Sequence, residues 1–246
     1  MIGMSSTPRL YIFPHAGGTA SFYVPFAKSF TTDVKRVAVQ YPGMQPGAAP
    51  AVPTIDSLAA NSYRMISAAP DDGAPVALFG HSMGALVAFE VARRLEAAGN
   101  PAAALFVSSS AAPSRMRTEY FRDLSDNQLV DYLVELSGTD PKVLENKEFV
   151  DMLLPTLRGF YEAIAGYKCE PDATVSCPVY ASVGDDDRLA PVDAVSGWAR
   201  HTTAEFGMRV FDGRHFYFTD HLSDVAADIE SRFSEAVQRR KRGQCV

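Results

Sequence analysis

Cysteine is scarce in this chain. Its three residues, Cys169, Cys177 and Cys245, are too few and too scattered for a disulfide framework and lack metal-ligand spacing. Such usage fits a reduced, cytosolic protein. No apolar run approaches the roughly 18 residues that would indicate a membrane span. The first nine residues lack a basic stretch leading into a long apolar run, so no secretory signal is expected. Positive charge is not in excess either, and a formal charge of -6 argues against a nucleic-acid binder. Neither a Gly-rich phosphate loop of the P-loop type nor a metal-binding helix motif occurs, and no repeat or low-complexity segment is found. The expectation is a cytoplasmic protein with neither nucleic acid nor membrane as partner.

At 246 residues and 47% apolar, the chain can bury one substantial core, so one domain is expected over residues 1–246. Short β-rich runs alternate with helical stretches, the sign of a mostly parallel sheet flanked by helices. Strands are expected over Arg9–Phe13, Val34–Gln40, Pro75–Phe79, Ala102–Ser108, Cys177–Val183 and Phe206–Phe211. Helices are expected over Ile55–Ala69, Met83–Ala98, Pro191–His201 and Asp220–Arg239, with Gly99 as a C-cap. From about Ser114 to Pro171 no strand is expected. Two helices are read there instead, one capped by Ser125 and one from Asn146 to Ala165. That block, about 114–171, reads as an inserted helical lid. The basic run Gln238–Arg242 reads as a solvated helix end, with an acidic partner as the other reading.

The strongest chemical signal is Gly80-His81-Ser82-Met83-Gly84, between a buried strand and a helix. A serine hydroxyl is a weak nucleophile unless exposed, oriented and deprotonated by a neighbour. Glycines two residues to either side permit the sharp turn that lifts it above the sheet. In this architecture the acid and then the base follow the nucleophile along the chain. Of five histidines, His215 alone lies in a loop directly after a late strand, so it is the expected base. His15 and His81 precede or flank the serine, His201 falls in a predicted helix, and His221 is placed inside the last one. The loop Gly184-Asp-Asp-Asp187 offers three acids, while the alternative position, Ser108-Ser-Ser-Ala-Ala-Pro113, has no carboxylate. An oxyanion hole needs two N–H donors. Met83 supplies one, and the loop Pro14-His-Ala-Gly-Gly18 the other, with Ala16 first and Gly17 next. Met65, Met83 and Met152 are weaker candidates for an acyl pocket, and the aromatic runs Phe160-Tyr161 and Phe216-Tyr-Phe218 read as packing.

With these residues placed, the sequence resembles the type II thioesterases that accompany polyketide synthases and nonribosomal peptide synthetases, of the α/β-hydrolase fold. The likeness runs from about Arg9 to Phe233. It rests on Phe13-Pro-His-Ala-Gly-Gly18, Gln40-Tyr-Pro-Gly43, Gly80-His-Ser-Met-Gly84, Leu124-Ser-Asp126, Pro155-Thr-Leu-Arg158, Cys177-Pro178, Gly184-Asp-Asp-Asp187 and His215-Phe216. The resemblance implies Asp187 as the acid and Ala16 as the second oxyanion donor, giving a Ser82, Asp187, His215 triad with a hole at Ala16 and Met83. It further implies hydrolysis of acyl thioesters on the phosphopantetheine arm of an acyl or peptidyl carrier protein, in an editing role. Since a thiolate leaves readily, no cofactor or metal is expected. An esterase or acyltransferase acting on a free acyl substrate is the alternative, and a non-catalytic binding module a third. The chain departs from the family at Met44, at Gly159-Phe-Tyr161 and at Gly213-Arg214.

Overall fold

The computed structural model describes residues 6–42, 53–70, 72–116, 124–129 and 147–243, with backbone only at 147–149, 151, 152, 241 and 243. Six strands form one sheet: β1 (Arg9–Phe13), β2 (Lys35–Ala38), β3 (Val76–His81), β4 (Ala104–Ser108), β5 (Val179–Gly184) and β6 (Phe206–Phe211). Their order is β2-β1-β3-β4-β5-β6, and every pairing is parallel. Parallel neighbours need crossovers, and helices supply them. The α-helices are α1 (Val24–Lys28), α2 (Ile55–Ser67), α3 (Met83–Ala97), α4 (Lys147–Gly166), α5 (Val192–Ser196) and α6 (Leu222–Gly243), and residues 126–129 are also helical.

Side chains alternate across the sheet. Tyr11 and Phe13 join a core with α2, α3 and the α4 residues Leu157 and Phe160, while Leu10 and Ile12 join a second core with Phe26 of α1 and Val225, Ala226 and Ile229 of α6. Strands covered on both faces read as continuous apolar runs, as β3 and β4 do. Helix α2 starts on a capping box between Thr54 and Ser57.

Several boundaries shift from the sequence reading. Strand β2 has four residues where seven were expected, and the stretch 191–201 is α-helical only over Val192–Ser196 before tightening into a 3-10 helix. Its Gly197 packs against Ala112 and Arg115, which leaves no room for a Cβ. His221 precedes α6 rather than lying within it. Ser125 does cap the helical turn over 126–129, exchanging hydrogen bonds with Gln128. The expected 114–171 insertion lies partly outside the described residues; within them it contains α4, which runs unbroken through Pro155. At the far end, Arg239 pairs with Glu205 and Glu235, and Arg240 bonds the Pro101 carbonyl. Glu205 and Pro101 lie before β6 and β4, at the edge of the sheet where those strands begin.

The order β2-β1-β3 opens a place for a site. The chain moves outward from β1 to β2, then returns to the other side of β1 to make β3. At such a reversal the connections beyond the strands' C-terminal ends diverge and leave a crevice. Beyond β1 lies Pro14–Gly18, and beyond β3 lies Ser82.

Candidate active site

Ser82 joins β3 to α3 with φ 55° and ψ -124°. A side-chain-bearing residue rarely takes positive φ, and such strain concentrates at functional positions. It is also the N-cap of α3, where a serine hydroxyl ordinarily turns back onto the helix, yet it makes no cap bond. Its hydroxyl is left for the cavity that Ser82 lines. The flanking glycines have separate tasks. A Cβ on Gly80 would lie 2.2 Å from the Gly84 carbonyl oxygen, so Gly80 permits the bend. A Cβ on Gly84 would lie 2.0 Å from the Phe13 carbonyl oxygen, so Gly84 lets the loop after β1 close onto α3.

That loop is braced from three sides. Tyr41 donates its hydroxyl to the Pro14 carbonyl at 3.1 Å, and the Gln40 side chain accepts the Ala20 N–H at 3.0 Å. The Tyr23 hydroxyl accepts the His15 backbone N–H at 3.2 Å and lies 2.8 Å from His15 Nδ1. Tyr23 is wholly buried, and among the described residues its proton finds an acceptor in that ring nitrogen. The Gln40-Tyr41 and Pro14–Gly18 motifs are therefore one construction, a fact their separation in sequence conceals. Ala16 lines the cavity beside Met83, whose N–H opens α3 and has no acceptor inside the helix. Leu157 of α4 presses on this loop, 3.2 Å from where a Gly17 Cβ would stand.

Asp187 and His215 meet from the loops after β5 and β6. Nδ1 of His215 is 3.0 and 3.1 Å from the two carboxylate oxygens, and both residues are only 4% exposed. Leu189 and Ala190 each donate a backbone N–H to Asp187 Oδ1 at 3.0 Å. Burial alone would raise the Asp187 pKa, but the hydrogen bond and charge of His215 and the Ala190 N–H outweigh it, so the carboxyl titrates below its ordinary range. An ionised carboxylate only accepts, so Nδ1 carries the proton and Nε2 keeps the free lone pair. The neighbouring acids have other partners: Asp185 accepts the Gly213 N–H at 2.9 Å, and Asp186, which also lines the cavity, pairs with Arg214 at 3.5 Å.

The other histidines are engaged elsewhere. His201 sits between the Ala173 carbonyl and Ser114, and His221 bonds the Asp212 carbonyl. His15 and His81 stand beside the site, their ring centroids 6.1 Å apart. Burial, reinforced by the nearby His215, holds His15 down at about 3 and His81 well below its ordinary value, so both are neutral.

Ser82, Asp187, His215, Ala16 and Met83 all line one cavity of about 930 Å³. Tyr161 and Ile164 of α4 and Met116 form part of its wall. The sequence reading missed Met116 and took Tyr161 for packing. The i and i+3 spacing of Tyr161 and Ile164 on one helix face was the available signal. Met65 is instead 41% exposed on α2, and Met152 has no described side chain. Phe216 does not line the cavity; it packs against His15 and His81. Among the described residues no cluster of His, Cys, Asp and Glu fit for a metal ion occurs, and no helix is long and apolar enough to cross a membrane.

A parallel sheet in this order, with a strained serine beyond β3 and an acid–histidine pair beyond β5 and β6, defines an α/β-hydrolase. Within that fold the chain belongs to the thioesterase domain family, which matches residues 8–233. It is 46% identical to the thioesterase TesA of Mycobacterium leprae over 237 residues, 96% of this chain and 90% of that one. Two solved structures are similar over nearly the whole chain. The type II thioesterase BorB from the borrelidin biosynthetic cluster shares 40% identity at a TM-score of 0.83, covering 94% of each chain. YbtT, a type II thioesterase from the yersiniabactin NRPS/PKS pathway, shares 27% at 0.81, again covering 94% of each. The chain is a thioester hydrolase.

Proposed function

We propose that this protein is a stand-alone, type II thioesterase that frees acyl groups from the phosphopantetheine arm of acyl or peptidyl carrier proteins in polyketide or nonribosomal peptide biosynthesis, clearing misprimed or stalled chains. The observation that carries this reading is the convergence of Ser82, the Asp187–His215 pair, Ala16 and Met83 on one cavity. Similarity to BorB and YbtT supports the type II assignment.

The reaction runs as a double displacement. Nε2 of His215 takes the Ser82 hydroxyl proton as its oxygen attacks the thioester carbonyl. The N–H groups of Ala16 and Met83 hold the developing oxyanion. The carbon–sulfur bond breaks and the carrier thiol leaves with the proton from His215. Water, deprotonated by the same nitrogen, then attacks the acyl carbon, the bond to the Ser82 oxygen breaks as His215 returns that proton to it, and the free acid departs. Asp187 keeps the imidazole in its Nδ1–H tautomer and stabilises the imidazolium. No metal or cofactor enters the scheme.

The fold reads as one α/β-hydrolase domain in which α4 belongs to a lid, supported by the contact of Leu157 with the Gly17 loop and by the cavity wall at Tyr161 and Ile164. A cytoplasmic setting is part of the same reading, in keeping with the free thiols of Cys169 and Cys177. The test compares acyl-carrier thioesters with matched oxygen esters, with and without an alcohol or amine acceptor. Hydrolysis of the carrier thioester supports the proposal. Preference for oxygen esters, or transfer to the acceptor, would instead make the protein an esterase or acyltransferase.

A further inference from the structure

Behind the cavity lies a chain of polar groups, three of them buried, that the hydrolysis scheme does not use. His81 Nδ1 is 3.0 Å from the Ser108 hydroxyl, which is 2.8 Å from the Tyr217 hydroxyl, which donates to Ser182 at 2.6 Å. His81 and Ser108 are fully buried and Tyr217 is 1% exposed, in surroundings otherwise aromatic. Buried polar groups in apolar surroundings are costly unless paired, so three of them joined here, with the half-buried Ser182 as last acceptor, have a reason to exist.

Its direction can be read. Tyr217 gives its proton to Ser182, so its oxygen accepts from Ser108, whose own oxygen accepts from His81 Nδ1–H. His81 is then an Nδ1–H tautomer with Nε2 unprotonated. That nitrogen is buried without a partner among the described residues, and an orphaned lone pair is tolerated better than an orphaned N–H. The whole chain is uncharged: burial pushes the Tyr217 phenol up to about 12 and depresses His81.

Ser108 has a second attachment. Its backbone carbonyl, the last of β4, accepts the Ser82 N–H at 2.8 Å. One residue thus grips the nucleophile's backbone with its carbonyl and, through its hydroxyl, the tyrosine two positions after His215. Tyr217 is tied back to that loop by donating its N–H to the Arg214 carbonyl at 3.0 Å, and its ring stacks on Phe211 with centroids 5.0 Å apart.

The geometry points to Ser108 and Tyr217 as positioning residues that fix the spacing between nucleophile and base. Neither lines the cavity. The inference rests on the proposed roles of Ser82 and His215, since a distance between them matters only if proton transfer joins them. Attack geometry tolerates little error, and misplacement near 1 Å can cost about a hundredfold.

The experiment measures kcat and KM for a soluble acyl-cysteamine thioester in full-length Tyr217→Phe, Ser108→Ala, Ser108→Thr and the Tyr217→Phe/Ser108→Ala double variant, each first shown to be folded by circular dichroism. Tyr217→Phe and Ser108→Ala are expected to lower kcat about 10–100-fold with KM within about twofold. The double variant should be no worse than the poorer single one, because the two act as a unit, and Ser108→Thr, which keeps the hydroxyl, should recover most of the rate. Unchanged kcat in a folded variant, multiplicative losses in the double, or a loss confined to KM overturns the proposal. Ser82→Ala, run in parallel, separates the two readings. If that variant retains full activity, the nucleophile assignment fails; if it is inactive while Tyr217→Phe is unimpaired, only the positioning role fails. Should Tyr217→Phe not fold, the Ser108→Ala and Ser108→Thr pair decides the same question.

Discussion

Nδ1 of His215 lies 3.0 Å from Asp187 Oδ2, joining residues 28 positions apart and leaving both almost without solvent contact. Loops of adjacent parallel strands make the meeting possible. β5 and β6 pair to their ends, Gly184 against Phe211, and the turns beyond them stay side by side. Gly184 permits the approach, because a Cβ there would stand 2.3 Å from the Gly213 carbonyl oxygen. A carboxylate held this way can only accept, which fixes the proton on Nδ1 and the lone pair on Nε2.

Replacing Asp187 with Asn keeps the shape but removes the acceptor that selects this tautomer. We expect kcat to fall about four orders of magnitude on a small thioester, with KM little changed. Steady-state kinetics on the folded variant checks it, and a loss smaller than tenfold would contradict the assignment.

Gly84→Ala tests the closeness of the elbow to the loop after β1. The added Cβ would meet backbone 2.0 Å away, which cannot give as a flexible side chain would. Overpacking of this kind costs about 1–3 kcal/mol and more against rigid atoms. Thermal or urea unfolding should show a loss at or above the top of that range, together with greatly reduced turnover.

Leu157→Ala tests α4 as a cover for the loop carrying Ala16. Leu157 is fully buried, so the cavity left behind should destabilise the fold by about 2–5 kcal/mol. Because its contact is with Gly17, the rate should fall as well, in proportion to the loosening of that loop. Native activity at temperatures well below unfolding would count against the cover role.

The neutral histidines predict an acid-sensitive fold. His15 titrates at about 3 in the native state and near 6.5 when unfolded. Between those values the unfolded chain binds more protons, so stability falls as pH drops from about 6.5 towards 3. His81, also depressed, adds to the slope. His15→Asn, whose side-chain oxygen can still accept from Tyr23, should flatten it. Urea midpoints measured from pH 7 to 4 decide the matter; an unaltered slope would mean that His15 does not contribute.

Much of this was legible in the sequence because the signals were local. The alternation of apolar runs pointed to the parallel sheet, and β1 and β6 have the expected boundaries. The glycines around Ser82 announced a bend, and His215 was singled out by following the last strand. What could not be read depends on contacts between distant segments. Nothing near Tyr217 says that its hydroxyl reaches Ser108 and Ser182, 109 and 35 residues away. Likewise Tyr41 and Gln40 brace a loop 27 positions earlier in one case and 20 in the other. Aromatic runs therefore read as packing, which is true of Phe216 and Phe218 but omits the polar contacts of Tyr217. Arg158 is similar: it ties the Pro155–Arg158 segment to Leu124 and Asp126, uniting two motifs that look unrelated in the chain.

If Ser82 is the nucleophile and His215 its base, the serine oxygen is acylated covalently during turnover. Treating the intact protein with a fluorophosphonate and mapping the adduct by peptide mass spectrometry reads out that step. We predict a single label on the peptide containing Ser82, absent in Ser82→Ala and formed at least about a hundredfold more slowly in His215→Ala. A label elsewhere in the chain, or an undiminished labelling rate in folded His215→Ala, would contradict it.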